Sequence, residues 1–385
     1  MLALMIEFKI LKRSKKSRAR LGVIQTPHGE IETPAFIPVA TRATMRALDS
    51  TQIEASGTQA IIANTYHLHL TPGEQVVKKH GGIQGFMHLN KPVMTDSGGF
   101  QVYSLGFGRD HGIGKILKDP ERLAGKSVES GMQPVNMKIT DDGVRFRSPI
   151  DGREMFLGPK ESIKIQEALG ADIMFAFDEC TSPIAKREYM LPSLEKTHRW
   201  AKICLDAKKT DQALYGIVQG GAHRDLREES ARIVGSMEFD GFGIGGEYGY
   251  DKKMMGKLMG WVNDLLPEGK PRHALGIGHP EDFVPLAKAG ADTFDCIAPT
   301  HYARRGVAFI SAGRIDIRNQ RYLKELKPLD KKCSCEVCKT YTRSYISHLM
   351  RAHEITGMEL LSYHNVYFFN ELARDVRRKI KNGEL

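Results

Sequence analysis

Asp295 closes an apolar run at 291–295, and a Pro-Thr turn and two adjacent arginines, Arg304 and Arg305, follow it. A carboxylate at the end of a buried strand, with a basic loop behind it, suits a nucleophile that meets an anionic polymer. Other short apolar runs end in a similar way. Asn64 follows one, Asp96-Ser97-Gly98-Gly99-Phe100-Gln101 another, and Asp178-Glu179-Cys180 a third. Gln219-Gly220-Gly221, Gly245-Gly246 and Gly276-Ile277-Gly278 follow three more. Any one of these acids could simply cap the next helix. Gathered at one place, they offer three carboxylates, an amide and several glycines. Glycines let a flat ligand approach the backbone closely. Asp178 and Gln219 carry acceptors and donors suited to the edge of a purine, and Phe100 offers a stacking face. Asp96 and Asp295 are then free to divide nucleophilic and proton-transfer roles, as in glycosyl chemistry through an oxocarbenium-like transition state.

The six cysteines form two groups. Cys180, Cys204 and Cys296 are scattered singly, as small buried hydrophobes usually are. Cys333, Cys335 and Cys338 make a tight C-x-C-x-x-C cluster, which suits tetrahedral zinc rather than a disulfide framework. A fourth ligand is needed, and His348, His353 and His364 all lie downstream in helical sequence.

A (β/α)8 barrel would gather those strand ends. Short apolar runs occupy 35–39, 59–63, 92–95, 172–177, 214–218, 240–244, 273–277 and 291–295. Amphipathic stretches lie between them, plainest at 159–169, 223–236, 251–266 and 280–289. Eight such units in about 260 residues have the length and rhythm of an α/β TIM barrel, whose chemistry sits at the C-terminal ends of the strands. No G-x-G-x-x-G turn follows the first strand, which argues against a doubly wound sheet. Residues 1–33 read as a basic arm and a small hairpin, 21–24 with 30–33. Residues 34–306 read as the barrel, with a loop insertion near 104–158 that holds a second hairpin, 137–140 with 144–147. Residues 307–385 read as a zinc-binding subdomain with closing helices.

The formal net charge is +10. Residues 300–385 carry 17 Lys and Arg against 9 Asp and Glu, and seven more positive charges lie in 9–20. Asymmetry of this kind suits a polyphosphate partner, bound through counterion release. Hydrophobic residues at 41% suffice for a sizeable core, and 26% charged residues is ordinary for a soluble protein. No apolar run approaches the ~20 residues of a membrane span. The N-terminus has no apolar core followed by a small-residue cleavage site. The expectation is a cytoplasmic chain with no membrane partner.

The motifs in order are NTYHL at 64–68, TDSGGFQ at 95–101, FDEC at 177–180, GIVQGG at 216–221 and IGG at 244–246. GIGHPED at 276–282, FDCIAPT at 294–300 and HLMRAHE at 348–354 follow. With the cysteine cluster and a His 26 residues beyond it, this series resembles the tRNA-guanine transglycosylases, the bacterial-type queuine tRNA-ribosyltransferases. The likeness runs from about residue 20 to 370.

The resemblance implies an enzyme that exchanges guanine at the tRNA wobble position for a free 7-deazaguanine base, queuine or its aminomethyl precursor. It implies Asp295 as the nucleophile that takes the ribose carbon covalently, and Asp96 as the general acid–base. Asn64, Ser97, Gly98, Gly99, Gln101 and Gly245 would line the base site. Asp178, Gln219 and Gly246 would hold the base, with Phe100 stacked on it. Gly276, Ile277, Gly278, His279, Pro280, Glu281 and Asp282 would contact the anticodon loop, as would Thr300, His301, Tyr302, Ala303 and Arg304. One structural Zn2+ would sit on Cys333, Cys335, Cys338 and His364, and a homodimer is typical.

The chain departs from the family's usual pattern at His301, which generally is Arg, at Leu275, commonly Met, and at Glu247, usually Leu. The excursion at 106–136 is longer than usual. Queuine-using relatives carry Gly where precursor-using ones carry a pocket-walling Val. Aligned without a gap, this chain has Gly249 there, which favours acceptance of queuine. Two other classes compete. A non-catalytic tRNA-binding partner subunit would not need both Asp96 and Asp295. A barrel enzyme acting on small nucleosides would need neither the basic C-terminal quarter nor the zinc module.

Overall fold

The plug at one end of the barrel decides where a ligand can enter. The computed structural model describes residues 6–105, 127–245 and 252–385. It begins with an antiparallel sheet of β1 (Glu7–Arg13), β2 (Arg20–Thr26) and β3 (Gly29–Thr33). The basic arm is thus largely the edge strand β1, whose outward positions carry its charges. Ile24 and Ile31, fully buried on the inner face, join Ile37, Ile62, Met94, Phe175 and Ile217 of the barrel interior in one cluster. Burial of each is worth roughly 1.5–3 kcal/mol. Ala35, Ala60, Ile173 and Ala213, at the starts of barrel strands, belong to the same cluster. The sheet therefore closes the N-terminal end. Arg20 of β2 fixes it there, pairing at 2.6 Å with Asp292, which directly precedes the last barrel strand.

The barrel strands are β4 (Ala35–Pro38), β5 (Ile61–Ala63) and β6 (Val93–Thr95), then the inserted antiparallel sheet β7 (Met137–Ile139), β8 (Val144–Arg147) and β9 (Glu154–Leu157). The barrel resumes with β10 (Ile173–Phe175), β11 (Ala213–Val218), β12 (Gly241–Ile244), β13 (Arg272–Ala274) and β14 (Thr293–Cys296). Among the described residues eight parallel strands run in the order β4-β14-β13-β12-β11-β10-β6-β5. A parallel bridge from Val39 to Ile62 closes the ring. The α/β barrel expected from the sequence is the fold. The insertion holds one strand more than its hairpin, since β9 pairs with β8. The seventh run is shorter than expected: Leu275–Ile277 leaves the sheet, with Gly276 at a positive φ of 71°.

Helices cover the outside where the sequence predicts them, at Pro159–Leu169, Arg224–Gly235, Lys252–Asn263 and Phe283–Ala289. The last is preceded by a single 3-10 turn, Pro280–Asp282. The long helix Ile355–Lys381 lies against the first barrel strand, β4, and the helices Phe283–Ala289 and Ala298–Ala303. Its Phe369 packs on Phe36, Phe283 and Phe309 with ring centroids 5.1, 5.7 and 5.0 Å away. The C-terminal region, with hairpin β15 (Val307–Ile310) and β16 (Gly313–Asp316), is thereby built onto the barrel wall. Among the described residues, the C-terminal mouth is the end left open.

Candidate active site

That mouth holds a cavity of about 480 Å³. Asn64, Asp96, Ser97, Phe100, Gln101, Asp178, Gln219, Gly245 and Asp295 all line it, as do Gly276, Ile277, His279, His301 and Tyr302. The first nine follow or end six of the barrel strands, so the closed sheet explains why residues as far apart as Asn64 and Asp295 share one wall.

Asp96 directly follows β6. Its Oδ1 accepts from the Thr65 and Gly98 amides at 3.1 and 3.2 Å. Asn64 Nδ2 and Gln101 Nε2 donate to Oδ2, the latter at 3.3 Å. Burial nonetheless pushes the carboxyl from 3.8 up to about 7, and the negative charge of Asp295 adds to it, while the two amides pull downward. A carboxyl that titrates near neutrality can give a proton and take it back.

Asp295 sits within β14. Its Oδ1 accepts from the Gly276 amide at 2.8 Å and meets His273 Nε2 at 3.0 Å. Oδ2 has no partner among the described residues, and the side chain borders the cavity. One oxygen is held and the other is available to a ligand, as a carboxylate nucleophile requires.

The opposite wall is built to present amide and carboxylate groups edge-on. Ser97 Oγ and Gln219 Nε2 donate to Asp178 at 3.1 and 2.6 Å. Gln219 Oε1 is buried without a partner among the described residues, an acceptor suited to a ligand N–H. Two glycines make this arrangement possible. A Cβ on Gly99 would lie 2.5 Å from the Asp178 carbonyl oxygen, and one on Gly245 would lie 2.9 Å from Gln219 Nε2. Gly98, also expected at the base, lies behind the cavity against Leu157. Gly246 lies outside the described residues, as do Glu247, Gly249 and 106–126 of the long excursion.

Supporting residues escaped the sequence reading. Gln166 ties β6 to β10, accepting from Thr95 Oγ1 and Phe175 N and donating to Phe175 O at 2.9–3.0 Å. Arg227, fully buried, donates to the Val218, Gly221 and Gly245 carbonyls at 3.2, 2.7 and 2.8 Å, clamping the loops that carry Gln219 and Gly245. His67 lines the cavity, and burial with nearby Arg42 and Arg46 pushes its imidazole below the ordinary range. His273 is fully buried inside the barrel. An isolated His in an apolar strand and an Arg within an amphipathic helix carry no sequence signal of such placement.

Around the rim the residues expected to meet RNA divide. His279, His301 and Tyr302 face the cavity, and Pro280 and Glu281 lie on the adjoining 3-10 turn. Asp282 is buried and accepts from the His279 amide at 3.0 Å. Gly278, Thr300 and Ala303 are buried beneath the rim. Arg304 is half-buried, and burial, Arg46 and Arg305 together lower its affinity for its proton. Arg42, Arg46, Arg304 and Arg305 thus gather positive charge at the mouth.

Away from the mouth, the ligand atoms of Cys333, Cys335, Cys338 and His364 all lie within 4.8 Å of one another. The three sulfurs are 3.8, 3.5 and 3.3 Å from His364 Nδ1. Tetrahedral zinc at about 2.3 Å from sulfur and about 2.05 Å from nitrogen puts S and N roughly 3.6 Å apart, so the donor set fits. His364 Nε2 faces the Phe309 carbonyl at 2.7 Å, which leaves Nδ1 as the ligand atom. Hydrogen bonds from Cys333 and Cys335 pull the Cys338 thiol down to about 4. His348 and His353, the other candidates, are exposed and outside the cluster.

A parallel α/β barrel with three carboxyl groups in one mouth and a Cys3His cluster that could hold a metal ion defines the class, a barrel enzyme with its chemistry at the C-terminal ends of the strands. The sequence profile of the family described as queuine tRNA-ribosyltransferase matches residues 14–385. The chain is 46% identical to a protein of Archaeoglobus fulgidus over 95% of this chain and 94% of that one. It is 43% identical to the queuine tRNA-ribosyltransferases of Halalkalibacterium halodurans and Halothermothrix orenii, covering 99% of this chain and 94% and 95% of theirs. The chain belongs to the queuine tRNA-ribosyltransferase family, whose members are pentosyltransferases.

Proposed function

We propose that this enzyme exchanges guanine at the wobble position of tRNA for a free 7-deazaguanine base through a covalent bond between Asp295 and the ribose. The observation that carries this reading is the contrast between two carboxyl groups in one cavity. Asp96 is held near neutrality by burial, whereas Asp295 is anchored through Oδ1 with Oδ2 free. In the first half-reaction Asp295 Oδ2 attacks C1′ as the C1′–N9 bond breaks, and Asp96 gives its proton to the leaving guanine. In the second, Asp96 takes the proton of the incoming base, whose nitrogen attacks C1′. The C1′–Oδ2 electron pair then returns to Asp295.

Asp178 and Gln219 bind the polar edge of the base, Gly245 and Gly246 let it approach the backbone, and Phe100 stacks on it. The arginines at the rim meet phosphates, and residues 276–282 and 300–304 meet the anticodon loop. Cys333, Cys335, Cys338 and His364 hold one Zn2+, which cross-links the C-terminal region and supplies no chemistry at the mouth. A homodimer working in the cytoplasm completes the reading; no helix among the described residues is long and apolar enough to cross a membrane. Retention of both Asp96 and Asp295 favours catalysis over a binding-only partner subunit.

The test is incubation of purified protein with radiolabelled guanine and mixed tRNAs. Label should enter only species with guanine at the wobble position. Label in none, or in tRNAs irrespective of that base, overturns the reading.

A further inference from the structure

His273 touches no ligand-facing surface, yet it bridges two residues of the neighbouring strand. β13 and β14 pair with His273 opposite Thr293, and Asp295, two residues on, points to the same interior face. Nδ1 lies 2.8 Å from Thr293 Oγ1 and Nε2 lies 3.0 Å from Asp295 Oδ1. The ring is fully buried against Phe175, with centroids 5.3 Å apart, and Thr293 is fully buried too. The nucleophilic form of Asp295 is a carboxylate with no hydrogen to give, so Nε2 donates. Packing and Thr293 leave the imidazole no other orientation.

We infer that His273 is a positioning residue that sets the balance between attack and departure at Asp295. The inference rests on the covalent reading above. Once Oδ2 has bonded to C1′, Oδ1 is the carbonyl oxygen of an ester, and His273 Nε2–H and the Gly276 N–H remain on it. In the second half-reaction the incoming nitrogen attacks C1′, its proton passes to Asp96, and the C1′–Oδ2 pair returns to Asp295. The negative charge then spreads onto Oδ1, where both donors strengthen. A buried hydrogen bond to a charge favours the free carboxylate over the ester. Its worth is divided between faster departure and slower attack, chiefly the former where the charge is already developed in the transition state.

Removing that donor therefore has a signature that misplacement of Asp295 does not share. His273→Phe keeps a ring against Phe175 but gives Oδ1 one donor instead of two. Breakdown of the adduct should slow roughly 10- to 100-fold, the worth of one hydrogen bond to a charged group. Adduct formation in a single turnover should be undiminished. The adduct that survives denaturation should accumulate at steady state while kcat and KM for tRNA fall together, leaving kcat/KM for tRNA undiminished. His273→Gln, which can place an N–H near the Nε2 position, should recover part of the breakdown rate. Thr293→Val, a change of the same shape, frees Nδ1 and should shift the balance in the same direction but less, which keeps the test usable if the Phe variant does not fold. Adduct that falls in step with kcat in Thr293→Val and His273→Phe, or that is unchanged in both, overturns the inference. If the unaltered enzyme forms no adduct, it is the covalent reading that fails.

Discussion

Raising the pH should deprive the first half-reaction of its acid. In a ping-pong exchange, kcat/KM for tRNA reports the free enzyme, and there Asp96 must be neutral to protonate the departing guanine. With its carboxyl pushed up to about 7 by burial and then by the charge of Asp295, the neutral fraction is about one half at pH 7 and about one hundredth at pH 9. A carboxyl at the ordinary 3.8 would be neutral in only about one molecule in a thousand at pH 7. Rates of guanine exchange at sub-KM tRNA, from pH 6 to 9, should thus fall tenfold per unit above about pH 7. The second substrate should show the opposite limb. The adduct needs Asp96 ionised, so kcat/KM for the incoming base falls toward acid. Esterified Asp295 carries no charge, so that limb lies below the first. A flat or rising tRNA profile between pH 7 and 9, in protein whose melting is unchanged, would refute the acid role of Asp96.

Three further outcomes follow. Cys335→Ser should lose metal and melt earlier together, because closing such a site is coupled to folding; full metal content with unchanged melting removes the structural role. Gln219→Leu takes the 2.6 Å hydrogen bond from Asp178 and should raise KM for the free base roughly 10-fold or more with little change in KM for tRNA; equal effects on both would mean it does not read the base. Competed against labelled guanine, queuine should be accepted at least as well as the aminomethyl precursor, as Gly249 suggests; a strong preference for the precursor rejects that assignment.

The barrel was legible because each strand is an apolar run stopped by a polar or Gly-rich turn, a pattern that survives whatever packs outside it. The convergence of Asp96, Asp178, Gln219 and Asp295 followed from that pattern alone, since the strand ends of a closed sheet have nowhere else to meet. β1 was hidden by its own charges. In Glu7–Arg13 an edge strand spends its outward positions on Lys and Arg, so it reads as a basic arm. β9 was hidden for want of a partner, because Glu154–Leu157 is too short to declare itself until β8 is beside it. The retreat of Leu275–Ile277 from the sheet followed from tertiary need: the Gly276 amide is turned toward Asp295 Oδ1. His364 could be chosen over His348 and His353 from the family's spacing, but not from helical sequence alone. His273 and Arg227 act through groups far away in the chain, His273 on a carboxylate 22 residues on and Arg227 on a carbonyl 18 residues on.

The most direct test of the account is to trap the bond on which it depends. Enzyme and tRNA incubated without a replacement base, then denatured, should yield a protein–RNA adduct, and peptide mass mapping should place the ribose on Asp295. Asp295→Ala should still bind tRNA but form no adduct, with turnover reduced by several orders of magnitude. An adduct that persists in the Ala variant, or that maps to another side chain, contradicts the central claim.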